Sequence, residues 1–217
     1  YDTQTVGVNL RLGFALSEEL SFTPRYSIFQ QEVSLPDYLN NCMSTSTNLF
    51  GGATPPAGYQ FHQPGNVQGG PLTDECYSDG EASLPVRIEL YKGAVIESIV
   101  GYSLAYNTLD NNKSPTSGLY AEIKQDVAGV GGDVNFVRTS AEARNYYEVF
   151  PDVIGVVKLQ GGHLAGWGSK DLRMLDNFQM GPNLVRGFAP SGIGPRDLTP
   201  GSTNDALGGT MFWGASL

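Results

Sequence analysis

Val6-Gly7-Val8-Asn9-Leu10-Arg11-Leu12-Gly13-Phe14 decides the fold class. Val6, Val8, Leu10, Leu12 and Phe14 fall on one side of an extended chain, and Gly7, Asn9, Arg11 and Gly13 on the other. A period of two is the signature of a strand with one apolar and one polar face. After the polar turn Ser17-Glu18-Glu19, Leu20 to Gln30 repeats the pattern: Phe22, Tyr26 and Ile28 oppose Ser21, Thr23, Arg25 and Ser27. The two runs read as a hairpin. Pro24 has no N–H to give a ladder, so a bulge or a locally unpaired position is expected there.

The same alternation recurs at Ile99 to Thr108 and at Leu119 to Val127, where Leu119, Ala121, Ile123 and Val127 oppose Tyr120, Glu122, Lys124 and Asp126. A further strand is expected from Val134 to Val149, with an unclear register near Ser140 to Arg144. Others are expected over Val153 to Trp167 and Leu207 to Leu217. About seven strands result, most of them about 9 to 16 residues, where the ordinary globular strand has about 5 to 6. Strands crossing an outer membrane need about 9 to 11 residues and alternate between lipid and lumen. The expected fold is therefore an all-β, antiparallel transmembrane β-barrel, residues 1–217 supplying part of it. Tyr1 opens on a strand pattern and Leu217 closes within one, so a piece of a longer chain is expected.

Arg11, Arg25, Glu122, Lys124 and Asp126 share the polar face, which suits a wet lumen. On the lipid face a mid-membrane Arg or Lys would cost roughly 2 to 4 kcal/mol. The turns at Ser17 to Glu19, Asp110 to Gly118 and Pro151-Asp152 mark one end, which in such barrels is periplasmic. The long segments mark the extracellular end: 31–98, with a short helix at Ser83 to Lys92, then Gly129 to Asp133, then 168–206. Ser83 is the expected cap of that helix, with Leu84, Ile88 and Tyr91 on one face.

Composition closes off other classes. A net charge of −9 argues against a nucleic-acid partner. The 28 glycines, 11 tyrosines and 10 phenylalanines suit an all-β chain. Cys42 and Cys76 lie in a loop with His62 alone between them, so a disulfide in an oxidising compartment is the better reading and two unpaired thiols the other. Such a bridge stabilises by roughly 4 kcal/mol in the chain-entropy model. No metal or cofactor site and no catalytic residue emerges. His62 and His163 neighbour no nucleophile motif, and Glu122, Lys124 and Asp126 read as a charge network before a catalytic pair. An enzyme is not expected. Trp167 and Trp213 read as belt anchors at a membrane interface, or as ordinary packing.

The segment Gly181 to Asp197, G-P-N-L-V-R-G-F-A-P-S-G-I-G-P-R-D, holds four glycines and three prolines and excludes a regular helix or central strand. Its Arg186, Phe188 and Arg196 suggest a loop that folds back onto something, and a buried carboxylate pair for Arg186 is weighed against a solvated arginine. Leu184-Val185-Arg186-Gly187-Phe188, then Gly192-Ile193-Gly194-Pro195-Arg196-Asp197 and Gly208-Gly209, resembles the BamA-type outer-membrane assembly factors. Tyr106 to Asp110 with Pro115 to Gly118 is similar to another turn of that family. The resemblance covers most of 95–217 and, more loosely, 6–30.

What the resemblance implies is a sixteen-stranded barrel behind periplasmic POTRA domains, this chain supplying strands six to twelve, in the outer membrane of a Gram-negative bacterium. The motif loop would enter the lumen, with Arg186 as its anchor to acidic residues beyond Leu217. Gly187 would permit the bend, Val185 and Phe188 would pack the tip, and Gly194, Pro195, Arg196 and Asp197 would complete the motif. The implied activity is folding and insertion of nascent outer-membrane β-barrel proteins, with outer-membrane lipids and, through the periplasmic domains, accessory lipoproteins as further partners. A two-partner secretion pore of related build and a soluble secreted β-sandwich are the alternatives.

Overall fold

The computed structural model describes residues 1–35, 82–168, 170–198 and 204–217. Cys42, Cys76 and His62 lie outside the described residues, as does any bridge between the cysteines.

The alternating segments form one antiparallel sheet. Its strands are β1 (Asp2–Arg11), β2 (Phe14–Ala15), β3 (Leu20–Ser34), β4 (Val95–Asn107), β5 (Gly118–Ala128), β6 (Phe136–Phe150), β7 (Val153–Gly166) and β8 (Met211–Ser216). They pair in sequence order, β2 pairing with β3 alongside β1. Arg11 stands opposite Arg25 and Phe14 opposite Phe22, so β1 and β2 are one strand in one register. The interruption falls at Leu12 and Gly13, across from Pro24. Its missing N–H breaks the ladder there, while its carbonyl still accepts from Leu12 N at 3.1 Å. On the other side Pro24 faces Tyr102 in unbroken register. The described strands form no second sheet, so a β-sandwich is not the architecture.

Four expectations are corrected. β3 runs to Ser34 and β4 starts at Val95, so the long connection is 35–94 rather than 31–98. β8 begins at Met211 rather than Leu207, because Gly208 turns the chain with φ 68°, and the motif loop accordingly spans 167–210. The register through Ser140 to Arg144 is continuous, and the irregularity lies between Glu148 and Phe150. Ser83 precedes helix α1 (Leu84–Lys92) at its cap position, but its side chain makes no cap bond. Val86 and Glu89 are the buried residues of α1 among the described side chains.

The turns at the short end are built from their own polar side chains. Ser17 Oγ accepts from Leu20 N at 3.1 Å. Asp110 does more: its carboxylate accepts from the Thr116 hydroxyl at 2.5 Å and from the Thr116 and Ser117 amides at 3.0 and 3.1 Å. These donors, the Thr116 hydroxyl foremost, hold the Asp110 carboxyl down at about 2. A depressed carboxylate contributes stability above its unfolded value, about 3.9, and loses it as the pH falls toward the folded value. The protection of the Thr116 and Ser117 amides, taken relative to the intrinsic exchange rate at each pH, is therefore expected to fall between about pH 4 and pH 2. In Asp110→Asn that acid-induced step should vanish; the same step in the variant would rule out the carboxylate as its cause.

Register divides the sheet into two faces. Val6, Val8, Leu10, Ile28, Val100, Ile123, Leu159 and Trp213 stand exposed on one. Among the described strand positions on that face, the charged residues are Asp2 and Glu32, both at the long-loop end. The other face carries the charges along the strands. At the long-loop end it buries two apolar clusters: Val95, Ala128, Val134, Phe136 and Leu164, and Val33, Ala82, Val86 and Met174. The core thus lies where the motif loop packs on the polar face.

Candidate functional site

Strand register sets the charge rows on the polar face. Gly101 of β4 lies opposite Arg25 of β3 on one side and Asp126 of β5 on the other. With no side chain between them, Arg25 reaches across β4 and donates from Nε and Nη2 to Asp126 Oδ1 at 2.9 and 2.6 Å. Arg11 stands exposed beyond Arg25. Glu122 and Glu142 face each other directly, an arrangement that costs energy unless cations intervene. They do. Lys124 Nζ lies 3.0 Å from Glu122 Oε2, and Tyr120 donates its hydroxyl to the same atom at 3.1 Å. Arg144 Nε and Lys158 Nζ lie 2.6 and 3.3 Å from the two oxygens of Glu142. Arg11, Arg25, Glu122, Lys124 and Asp126 thus share one face, where Glu122 and Asp126 take different cations instead of facing each other as a carboxylate pair.

The motif loop leaves β7 at Trp167, whose indole N–H donates to Ala128 O at 3.0 Å. It then drops onto the polar face. Arg173 donates from Nε to Glu89 Oε2 of α1 at 2.6 Å and from Nη1 to Glu97 Oε1 of β4 at 2.8 Å, all three side chains being 2 to 3% exposed. A 3₁₀ turn follows at Met174–Asp176. Arg138 of β6 donates to Asp176 O at 2.6 Å and stacks between Phe136 and Phe178, 5.0 and 5.9 Å from their centroids. Phe178 meets Phe212 of β8 edge-on at 4.7 Å. Gly162 lies beneath this pair, where a β-carbon would come 2.5 Å from Phe212 and 2.8 Å from Phe178. Burial holds the Asp176 carboxyl above its ordinary range, against the pull of Arg173 and Arg138.

Arg173, Glu89 and Glu97 were missed as site residues. The available signals were an inward carboxylate at the apolar end of β4 and an arginine flanked by Leu172 and Met174.

Past Phe178 the loop closes on itself. Met180 bridges Ile193, and Arg196 bridges Ala206. Arg196 donates to Asn204 O at 2.9 Å and Ser191 O at 3.3 Å, while Pro195 O and Asp205 O accept from Leu207 N and Asp197 N, each at 2.9 Å. Gly194, with φ 125°, starts this return. Leu184 rests against Gly214 of β8, its Cγ 3.2 Å from where a β-carbon would stand. Val185, Arg186, Gly187 and Phe188 form an exposed tip, Gly187 bending with φ 94°. Among the described residues Arg186 has no hydrogen bond or ion pair.

The matching family model is the Omp85 superfamily domain, over residues 1–217. The chain is 37% identical over 136 residues to an outer membrane protein assembly factor BamA of Neorickettsia risticii, covering 62% of this chain and 18% of that protein. It is 31% identical over 138 residues to a sorting and assembly machinery component 50 homolog of Bos taurus, covering 63% and 28%. It therefore spans under a third of the length of these curated relatives. In three dimensions it is similar to a crystal structure of BamA from Haemophilus ducreyi lacking POTRA domains 1-3, with TM-score 0.65 and 18% identity, over 98% of this chain and 36% of that one. That likeness establishes the fold.

Proposed function

Because this chain belongs to the Omp85 superfamily, we propose that it is the barrel portion of a machine that folds and inserts nascent β-barrel proteins into the bacterial outer membrane. The observation that carries the reading is the motif loop, laid across the polar face by Arg173, Arg138 and Phe178 with its Val185-Arg186-Gly187-Phe188 tip presented. The apolar face meets lipid, and the polar face lines the lumen. The loop braces the wall from inside while strand edges offer unpaired backbone groups to an incoming client strand, a form of β-augmentation. No covalent chemistry and no cofactor enter this mechanism. Outer-membrane lipids and accessory lipoproteins are the further partners of the whole protein. Cys42 and Cys76 would clip the long extracellular segment by a disulfide.

In this reading Arg186 pairs with carboxylates inside the complete barrel. A charge-assisted pair of that kind is worth about 1.5 to 3 kcal/mol, so Arg186→Ala in the whole protein should slow client insertion by roughly ten- to a hundredfold. It should also lower the temperature at which the folded band on a semi-native gel converts to the unfolded one. Arg186→Ala with wild-type insertion rate and wild-type heat-modifiability would exclude this role.

A further inference from the structure

We propose that helix α1 is a latch on the motif loop, with Arg173 as the positioning residue through which it holds. The inference draws its functional consequence, but not its contacts, from the assembly reading.

α1 and the two residues that lead into it, Ala82 and Ser83, touch both arms of the loop. On the outgoing arm, Glu89 takes Arg173 Nε at 2.6 Å, and Ala82 and Val86 pack in one cluster with Met174. On the returning arm, Asp205 Oδ2 accepts from Ser83 N at 2.8 Å, and Leu207 packs against the same cluster. Arg173 Nη1 adds β4 through Glu97 at 2.8 Å. One guanidinium therefore joins the helix, the barrel wall and the loop.

The groups facing this centre come from four elements: Glu89 and Lys92 of α1, Glu97 of β4, Arg138 of β6, and Arg173 and Asp176 of the loop. Lys92 Nζ lies 3.2 Å from Glu89 Oε1 and is partly exposed. Arg173 Nη2 and Asp176 Oδ2 are buried without a hydrogen-bond partner among the described residues. A cluster this dry has little room for partial opening, because removing one partner leaves an uncompensated charge. Two discrete states follow: helix docked with the loop held, or helix displaced with both loop arms loosened. The segment 35–94 ends in α1, so whatever displaces its end acts on the motif loop.

Of the tryptic sites on that loop, Arg186 and Arg196 lie beyond the latch. Full-length protein in outer-membrane vesicles, without client, is digested briefly, and cleavage after each arginine is timed by mass spectrometry. Glu89→Gln and Arg173→Met should each raise the cleavage rate by about tenfold or more, since cleavage follows the population of the opened loop. The double variant should be no faster than the faster single one, because both remove the same contact. Lys113→Met, exposed on the turn at the opposite end of the sheet, should stay within about twofold of wild type. Cleavage rates near wild type in Glu89→Gln, or multiplicative effects in the double variant, would overturn the latch. Should Arg173→Met fail to assemble, Glu89→Gln decides, because it leaves the Arg173–Glu97 contact in place. A client-insertion assay on the same vesicles separates the two ideas: a released loop with unchanged insertion supports the latch and counts against the assembly reading.

Discussion

Ile123→Arg is expected to destabilise the barrel by roughly 2 to 4 kcal/mol, whereas Ser103→Glu, on the adjacent strand, should stay within about 0.5 kcal/mol of wild type. Ile123 sits mid-strand in β5, between Leu104 and Ala141, and is partly exposed on the apolar face. Among the described strand positions the carboxylates on that face, Asp2 and Glu32, stand at the long-loop end of β1 and β3, away from Ile123, and mid-strand depth limits snorkelling to either interface. Ser103 lies opposite Lys124, the neighbour of Ile123 that points the other way. A carboxylate there meets a cation in a polar row. Urea unfolding of the whole protein in lipid bilayers, read as a shift in midpoint at constant slope, measures both. If Ser103→Glu destabilises and Ile123→Arg does not, inside and outside are reversed.

Two faces in two solvents force alternation, so strand existence and facing could be read from residues such as Val6 to Phe14. Where the outward residues are small or weakly polar, as at Thr139, Ala141 and Ala143, the contrast between faces fades; the ladder nevertheless runs straight through. The last strand was over-extended because Leu207 keeps the right parity, although the backbone turns at Gly208. Pro24 was informative, since a missing donor has one local consequence.

The site was legible only where it is local. The motif named the loop, and parity put Glu122, Lys124 and Asp126 on one face. Neither reveals partners. Arg173 finds Glu89 and Glu97 across 84 and 76 residues, a pairing that exists only after β4 is in register and α1 has docked. Arg186 shows the converse: a motif residue recognisable in sequence, standing exposed at the tip of a loop that other side chains hold.

Gly101→Val gives the sharpest test of a pairing that register alone creates. Valine favours strands, so propensity predicts a small gain. The geometry predicts a loss. A β-carbon at Gly101 would land on Asp126 Oδ1, 3.1 Å from Arg25 Nε and 2.8 Å from Gln125 O, in the path of the ion pair. Arg25 and Asp126 are 16% and 17% exposed, so pushing them apart strands two poorly solvated charges. Overpacking and a broken charge-assisted bond together suggest about 2 to 4 kcal/mol. With Asp126 replaced by alanine the obstructing oxygen is gone, and Gly101→Val then meets chiefly the Gln125 carbonyl. Its cost should fall by about 1 kcal/mol or more, appearing as coupling in the double-mutant cycle. Additive effects would mean that Gly101 serves the strand rather than the ion pair. Coupling would make the glycine an electrostatic residue, required because the shortest route from Arg25 to Asp126 passes over its α-carbon.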